Sequence, residues 1–465
     1  MLVIISDLHL TDRSSGDTIS AGAFRIFMRS LQRLAEQASY RKHENDEFTP
    51  IDACHVVLLG DILDVIRSRL WRDPGADQDP RVRPWSPRDT ADQAAAFADR
   101  VERITRMILE KNQEALAYLQ PTLRIQNADG EAFDIPLKIY YMVGNHDWFY
   151  HLKGQRYDAI RRELIQAFGL SQKAEEPFPH TLDESPELKR IFDEHRVYAQ
   201  HGDVHDPLNY QPGKGRDVAS FGDAAVIELL NRFPEDVGAE LGELADPALV
   251  ADLKEIDNVR PSLMIPAWIR TTLAKYPPAT RRAVIDIWSR QVRSFLRLPF
   301  LREVEYPGPF GRVLLRILLK VSDRLGWMRV LAFIQQGVRK ISPFFNLDID
   351  SGFVKHVYKE PAYRNDDGSI DYFIYGHTHN PEVVPVQVLD HPGSRRVRLY
   401  FNSGTWRTVH QKAERKGGTD GFARYQVMTY VAFYRDDPVH GHERRGRNYE
   451  VWNGQLDHPV DPDDG

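Results

Sequence analysis

Cysteine is almost missing from this sequence. One residue, Cys54, stands among 465, so no disulfide can form within the chain and a reducing compartment is implied. Cys54 opens the run CHVVLLG and reads as a small buried hydrophobe. Long apolar runs are lacking too, and no uninterrupted stretch approaches the ~20 residues of a membrane span. The opening MLVIISDLHL has neither a basic leading region nor a small-residue cleavage site, so a cytoplasmic protein is expected, with peripheral membrane contact left open. Nor is positive charge in excess. A formal net charge of -6 and a pI near 6.3 give no global mark of a nucleic-acid binder. The sequence has no internal repeat and no low-complexity tract.

What the sequence does have is a series of short apolar runs that stop in polar clusters. LVIIS runs into Asp7 and His9, and HVVLLG into Asp61 and Asp64. IYYMVG runs into Asn145, His146 and Asp147. RVYAQ leads to His201 and Asp203, and YFIYG to His377 and His379. Runs of about five residues rich in Val, Ile and Tyr read as buried strands. Between them, 21–38 and 89–119 carry apolar residues at helical spacing, while 66–88, rich in Arg, Asp and Pro, reads as an exposed loop. After GHTH the runs VVPVQVL, RVRLYFN and YQVMTYVAFY are expected to complete a second sheet. The pattern is α/β, and in α/β sheets ligands gather beyond the carboxyl ends of the strands.

Strand signals vanish over 215–347, where helical patterns fill the interval between HGD and GHTH. The expected organisation is a core in two parts, 1–214 and 348–435, interrupted by an inserted helical lid subdomain at 215–347. A polar tail at 436–465, ending DHPVDPDDG, is expected to be loosely held. The insertion is basic: within 281–340 thirteen Lys and Arg face four Asp and Glu, a surplus of nine that leaves -15 for the rest of the chain. Arg312, Arg316, Lys320 and Arg324 recur every four residues as one stripe on an otherwise apolar helix. Such a helix suits an anionic membrane surface or an acyl chain; the favoured reading is the commoner one, a packed helix with a solvated basic face.

Asp7, His9, Asp61, Asn145, His201, His377 and His379 together offer imidazole nitrogen with carboxylate and amide oxygen. That set suits first-row divalent ions. Seven donors are too many for one ion. They suit two, roughly 3.5–4 Å apart, which need a shared carboxylate. Asp61, beside a Gly that lets the chain turn tightly, is the natural bridge.

DLH, GDILD, GNHD, HGD and GHTH, in this order, resemble the signature of the calcineurin-like metallophosphoesterases over about 1–210 and 350–435. The resemblance implies an αββα sandwich of two mixed β-sheets flanked by helices. It implies one metal on Asp7, His9, Asp61 and His379, and a second on Asp61, Asn145, His201 and His377. Manganese is expected first, with iron and zinc fitting the same donors. Asp64 and Asp203 take supporting positions behind the ligands, as does Asp206, whereas His205 has no place among them. His146 is the implied catalytic histidine, stabilising charge or protonating the departing oxygen, with Asp147 as the acid that orients its ring. The implied reaction is hydrolysis of a phosphoester by a hydroxide shared between the metals.

ISDLHL, HGD followed by Asp206, and YFNSGTW look most like bacterial UDP-2,3-diacylglucosamine hydrolases, which also carry a helical lid between HGD and GHTH. This chain departs from them in a much longer insertion and in His146, where those enzymes commonly carry Arg. A phosphodiester or pyrophosphate of a nucleotide-linked or amphiphilic substrate is therefore expected. The alternatives are a nuclease of the DNA-repair type, for which the insertion lacks interleaved aromatics, and a non-catalytic scaffold on the same fold.

Overall fold

Near-continuous apolar runs such as LVII and CHVVLL give a strand two buried faces, and the two faces meet different layers. The structure, a computed structural model, describes residues 1–41, 48–76, 78–242, 246–304, 353–364, 368–391, 394–415, 419–437, 441–444 and 446–455. In chain order the strands are β1 (Leu2–Ile5), β2 (Cys54–Leu59), β3 (Thr122–Gln126), β4 (Ala132–Met142), β5 (Val197–Ala199), β6 (Val259–Arg260) and β7 (Tyr372–Tyr375). They continue with β8 (Glu382–His391), β9 (Ser394–Asn402), β10 (Thr408–Arg415), β11 (Thr419–Phe433), β12 (Asp436–Asp437), β13 (Gly441–His442) and β14 (Tyr449–Gln455). The molecule is mixed α/β. One sheet runs β3-β4-β2-β1-β11-β10-β6, with β14 also on β11; a second runs β5-β7-β9-β8.

In the first sheet β4, β2 and β1 are parallel, and in the second β5, β7 and β9 are parallel. Leu2, Ile4, Val57, Leu59, Tyr140, Met142, Val431 and Phe433 of the first sheet share one buried cluster with Val197, Ala199, Tyr372, Ile374 and Phe401 of the second. Their neighbours Val3, Ile5, Val56, Leu58, Ile139 and Tyr141 turn the other way, as a period of two requires. There they meet α1 (Ala21–Ala38) through Phe24, Phe27 and Leu31, and α2 (Ala91–Leu116) through Val101, Ile104 and Ile108. Thr90 starts α2 with a capping box closed by Gln93. Both helices fall where their spacing predicts them.

Three expectations change. YQVMTYVAFY belongs to β11, which joins the first sheet beside β1 rather than the second. The segment 66–88 is not simply exposed: Leu70, Trp71 and Val82 are buried, and Trp85 stacks on Phe300 at 4.8 Å. The polar tail is also not loose throughout. Tyr449–Gln455 pairs with Val427–Phe433, and Trp452 stacks on Tyr430 at 5.5 Å. YEVW alternates well enough to add a strand, although its surroundings are polar.

The described part of the insertion is mostly helical, including α3 (Phe221–Ala225), α4 (Arg232–Leu241), α5 (Pro247–Lys254), α6 (Ile265–Leu273) and α7 (Pro278–Phe295). Its one departure is β6, which adds to β10 of the first sheet. The stripe of Arg312, Arg316, Lys320 and Arg324 lies outside the described residues. Among those residues no helix is long and apolar enough to cross a membrane.

Candidate metal centre

Because β1, β2 and β4 are parallel, their carboxyl ends open on the same side, and the loops leaving them stay paired. Asp7 N donates to Gly60 O at 3.0 Å and His9 N to Asp61 O at 2.9 Å. The second sheet delivers its loops to the same place: Gly376 N donates to His201 O at 2.9 Å, and His377 N reaches across to Asp7 Oδ2 at 3.0 Å. These turns are tight. Asp7, His9, Asp61, His377 and His379 all take positive φ, between 48° and 69°, a conformation that side chains disfavour. Such backbone persists where surroundings over-determine it, and it concentrates at functional sites. Crowding explains two glycines of the motifs. A Cβ on Gly144 would run into the Asp61 carboxylate, and one on Gly376 would sit 2.5 Å from Ser6 Oγ.

The seven sequence-predicted donors converge in two groups. In the first, Asp7 Oδ1 lies 3.3 Å from His379 Nε2 and 3.7 Å from His9 Nε2, and the two Nε2 atoms are 3.0 Å apart. In the second, Asn145 Oδ1 lies 2.9 Å from His377 Nδ1 and 3.3 Å from His201 Nε2. Asp61 serves both. Its Oδ2 is 3.2 Å from His201 Nε2 and 3.7 Å from His9 Nε2, while its Oδ1 accepts from His146 N at 2.8 Å.

The outward nitrogens are held in turn. His201 Nδ1 meets Leu59 O at 2.9 Å, His9 Nδ1 meets Asp64 Oδ2 at 3.1 Å, and His377 Nε2 meets Asp206 Oδ2 at 3.0 Å. Each contact makes that nitrogen the donor and aims the other lone pair inward, as metal-binding histidines require. Asp7 Oδ1, fully buried, has no hydrogen bond at all. An orphaned carboxylate oxygen facing two imidazole nitrogens fits a cation. Burial would raise the carboxyls of Asp7, Asp61 and Asp64, yet the surrounding histidines hold all three well below the usual range. They stay ionised.

His146 stands beside these groups, its Nε2 4.0 Å from Asp61 Oδ2. Its orienting acid is not Asp147. His146 Nδ1 meets Asp64 Oδ1 at 2.6 Å, so one buried carboxylate holds both His9 and His146. Asp147 turns away into the loop, where it accepts from Ile62 N at 2.8 Å, Gly144 N at 2.6 Å and Tyr141 Oη at 2.6 Å. Adjacency along the chain misleads here because a tight turn sends successive side chains in different directions. Asp203 likewise pairs with Arg216 at 2.6 Å, and it is Asp206 that supports a donor histidine. His205 lies apart, against Glu360 and His356.

Sequence reasoning missed two cations. Arg260 of β6 brings Nη2 to 2.8 Å from His379 Nδ1. Arg407 lies 3.3 Å from Asp64 and 3.2 Å from Asp257. Arg407 directly follows the YFNSGTW segment. Arg260 carries no motif and is delivered only by the pairing of β6 with β10. No family model matches this chain, and no curated protein matches it.

Proposed function

We propose that the chain is a phosphoesterase with two divalent metals, hydrolysing a phosphodiester or pyrophosphate bond on an αββα sandwich. One observation carries the reading: Asp61 Oδ2 stands between two sets of donors, each with further imidazole and oxygen groups, which is what a pair of ions sharing one carboxylate needs. Asp7, His9, Asp61 and His379 would hold one ion; Asp61, Asn145, His201 and His377 would hold the other. When bound, the two ions supply an activated water and neutralise phosphoryl charge, with manganese the first choice for this donor set.

The chain's own residues do the rest. His146, fixed by Asp64, donates a proton to the departing oxygen from a position 12% exposed beside the shared carboxylate. Burial would lower its pKa, but the Asp64 and Asp61 carboxylates outweigh burial and lift it to about 9. Arg260 adds positive charge beside the first donor group, suited to a substrate with more than one phosphate oxygen to neutralise, while Arg407 is buried between Asp64 and Asp257 and braces them.

A panel assay with added Mn²⁺ tests the reading, comparing a phosphodiester, a phosphomonoester, single-stranded DNA and a nucleotide-linked lipid pyrophosphate. Turnover of the diester or pyrophosphate is expected. Preference for the monoester would remove this reading, preference for DNA would move it to a nuclease, and fewer than two divalent ions per chain would favour a scaffold.

A further inference from the structure

A second cluster of donors lies outside the site just described, and no step above uses it. His151 ends the turn Trp148–His151, His180 follows in a loop of the core, and Asp217 belongs to the first residues of the insertion. His151 Nδ1 lies 2.8 Å from Asp217 Oδ1 and 2.9 Å from Oδ2, and His180 Nε2 lies 3.0 Å from the same Oδ1. The two rings are 4.4 Å apart. One donor atom from each residue lies within 4.8 Å of the other two. Three separate segments thus aim two imidazoles and a carboxylate at one point.

The surroundings favour a cation there. Behind His151, the Glu184 carboxylate faces Nε2 at 3.7 Å and is itself fixed by His180 N at 2.7 Å. His180 is 3% exposed, and its Nδ1 has no partner. Burial, helped by the Arg216 guanidinium, pulls its pKa to about 4, so it is neutral and able to ligate at neutral pH. Arg216 bonds the His180 carbonyl at 3.2 Å and Asp203 at 2.6 Å, and Arg88 bonds the Asp217 carbonyl at 3.0 Å, so the backbone around the cluster is fixed from both sides.

We propose that His151, His180 and Asp217 form a separate site for one zinc-class divalent cation, which fastens the start of the insertion to the loop following the candidate centre. Two neutral nitrogens and one carboxylate oxygen suit zinc better than the harder manganese or magnesium. Tetrahedral zinc with bonds of ~2.1 Å sets its donors ~3.4 Å apart. The two histidine–Asp217 contacts, now 2.8 and 3.0 Å, therefore open by about half an ångström, and water fills the fourth position.

The test counts metal in the intact chain. Protein is loaded with zinc, dialysed against a weak chelator and analysed by mass spectrometry of the metal, for the wild type, His151→Gln, Asp217→Asn and Asp61→Asn. His151→Gln and Asp217→Asn are each expected to lose one equivalent and to keep the remainder. Asp61→Asn is expected to keep the equivalent that those two lose, which separates this site from the two-metal reading. Added zinc should raise the melting temperature of Asp61→Asn and fail to do so when His151→Gln is combined with it. Should one variant fold poorly, shown by circular dichroism, the other decides, since Asp217→Asn keeps the shape of the side chain. Equal zinc content and equal thermal response with and without these substitutions would overturn the proposal and leave a hydrogen-bonded His–Asp–His clasp.

Discussion

At the scale of single residues, Asp64 is the decisive side chain. It is fully buried and bonds one histidine of the first donor group and the candidate proton donor at once. His146→Ala should keep the metal content and lose about 10²–10⁴-fold in kcat, the usual worth of a positioned acid. Metal analysis beside steady-state kinetics checks this, and full activity on the true substrate would sink the assignment. Asp64→Asn should do both kinds of damage. His9 loses the carboxylate that fixes its tautomer, so metal affinity falls by about 10–100-fold, and His146 loses its orientation as well. Asp147→Asn should behave differently, because its carboxylate accepts from two loop amides and the Tyr141 hydroxyl and bonds neither ring. An amide NH₂ facing those donors should cost about 1–3 kcal/mol of stability, read as a lower denaturant midpoint, with the pH dependence of turnover unchanged.

At the scale of elements, the loops are as constrained as the strands that carry them. Gly144→Ala would place a Cβ 2.8 Å from both Asp61 N and His201 Cδ2. Overpacking of that kind costs about 1–3 kcal/mol, and here it displaces the shared carboxylate, so metal binding should weaken together with stability. Calorimetric metal titration of Gly144→Ala checks it; wild-type affinity would show that the loop can relax. The same crowding made the candidate site legible in the sequence. A run of Val, Ile and Tyr stopped by Gly and then Asp, Asn or His states both a strand and what leaves it, so all seven donors could be named before their distances were known. What stayed hidden depends on long-range pairing. Asp64 rather than Asp147 holds His146 because β2 and β4 lie side by side, and Arg260 reaches His379 because β6 adds to β10. β14 was masked by composition: four alternating residues do not stand out in a polar segment until β11 offers an edge.

At the scale of the molecule, acid stability should have a component that owes nothing to the candidate metals. His55 and His195 are kept neutral inside the fold. Burial, then the Met1 ammonium and the neighbouring His195 and Lys138, takes His55 down to about 3, and burial with the same ammonium holds His195 well below its ordinary value. In the unfolded chain both rings titrate near 6.5. Below that pH the unfolded state gains protons that the folded state refuses, so the contribution of these two rings to stability falls as pH drops from about 6.5 toward 3 and is constant above 7. The slope is about 1.4 kcal/mol per pH unit for each proton in the difference. Metal release also destabilises in acid, since its ligands must be deprotonated, so urea unfolding should be followed between pH 4 and 7 in the presence of a strong chelator. His55→Gln cannot take up the proton in either state, and its stability should decline less steeply than that of the wild type over this range. If the two slopes coincide, His55 is charged in the folded protein, and the strand end around Cys54 must be open to water where its side chains are packed.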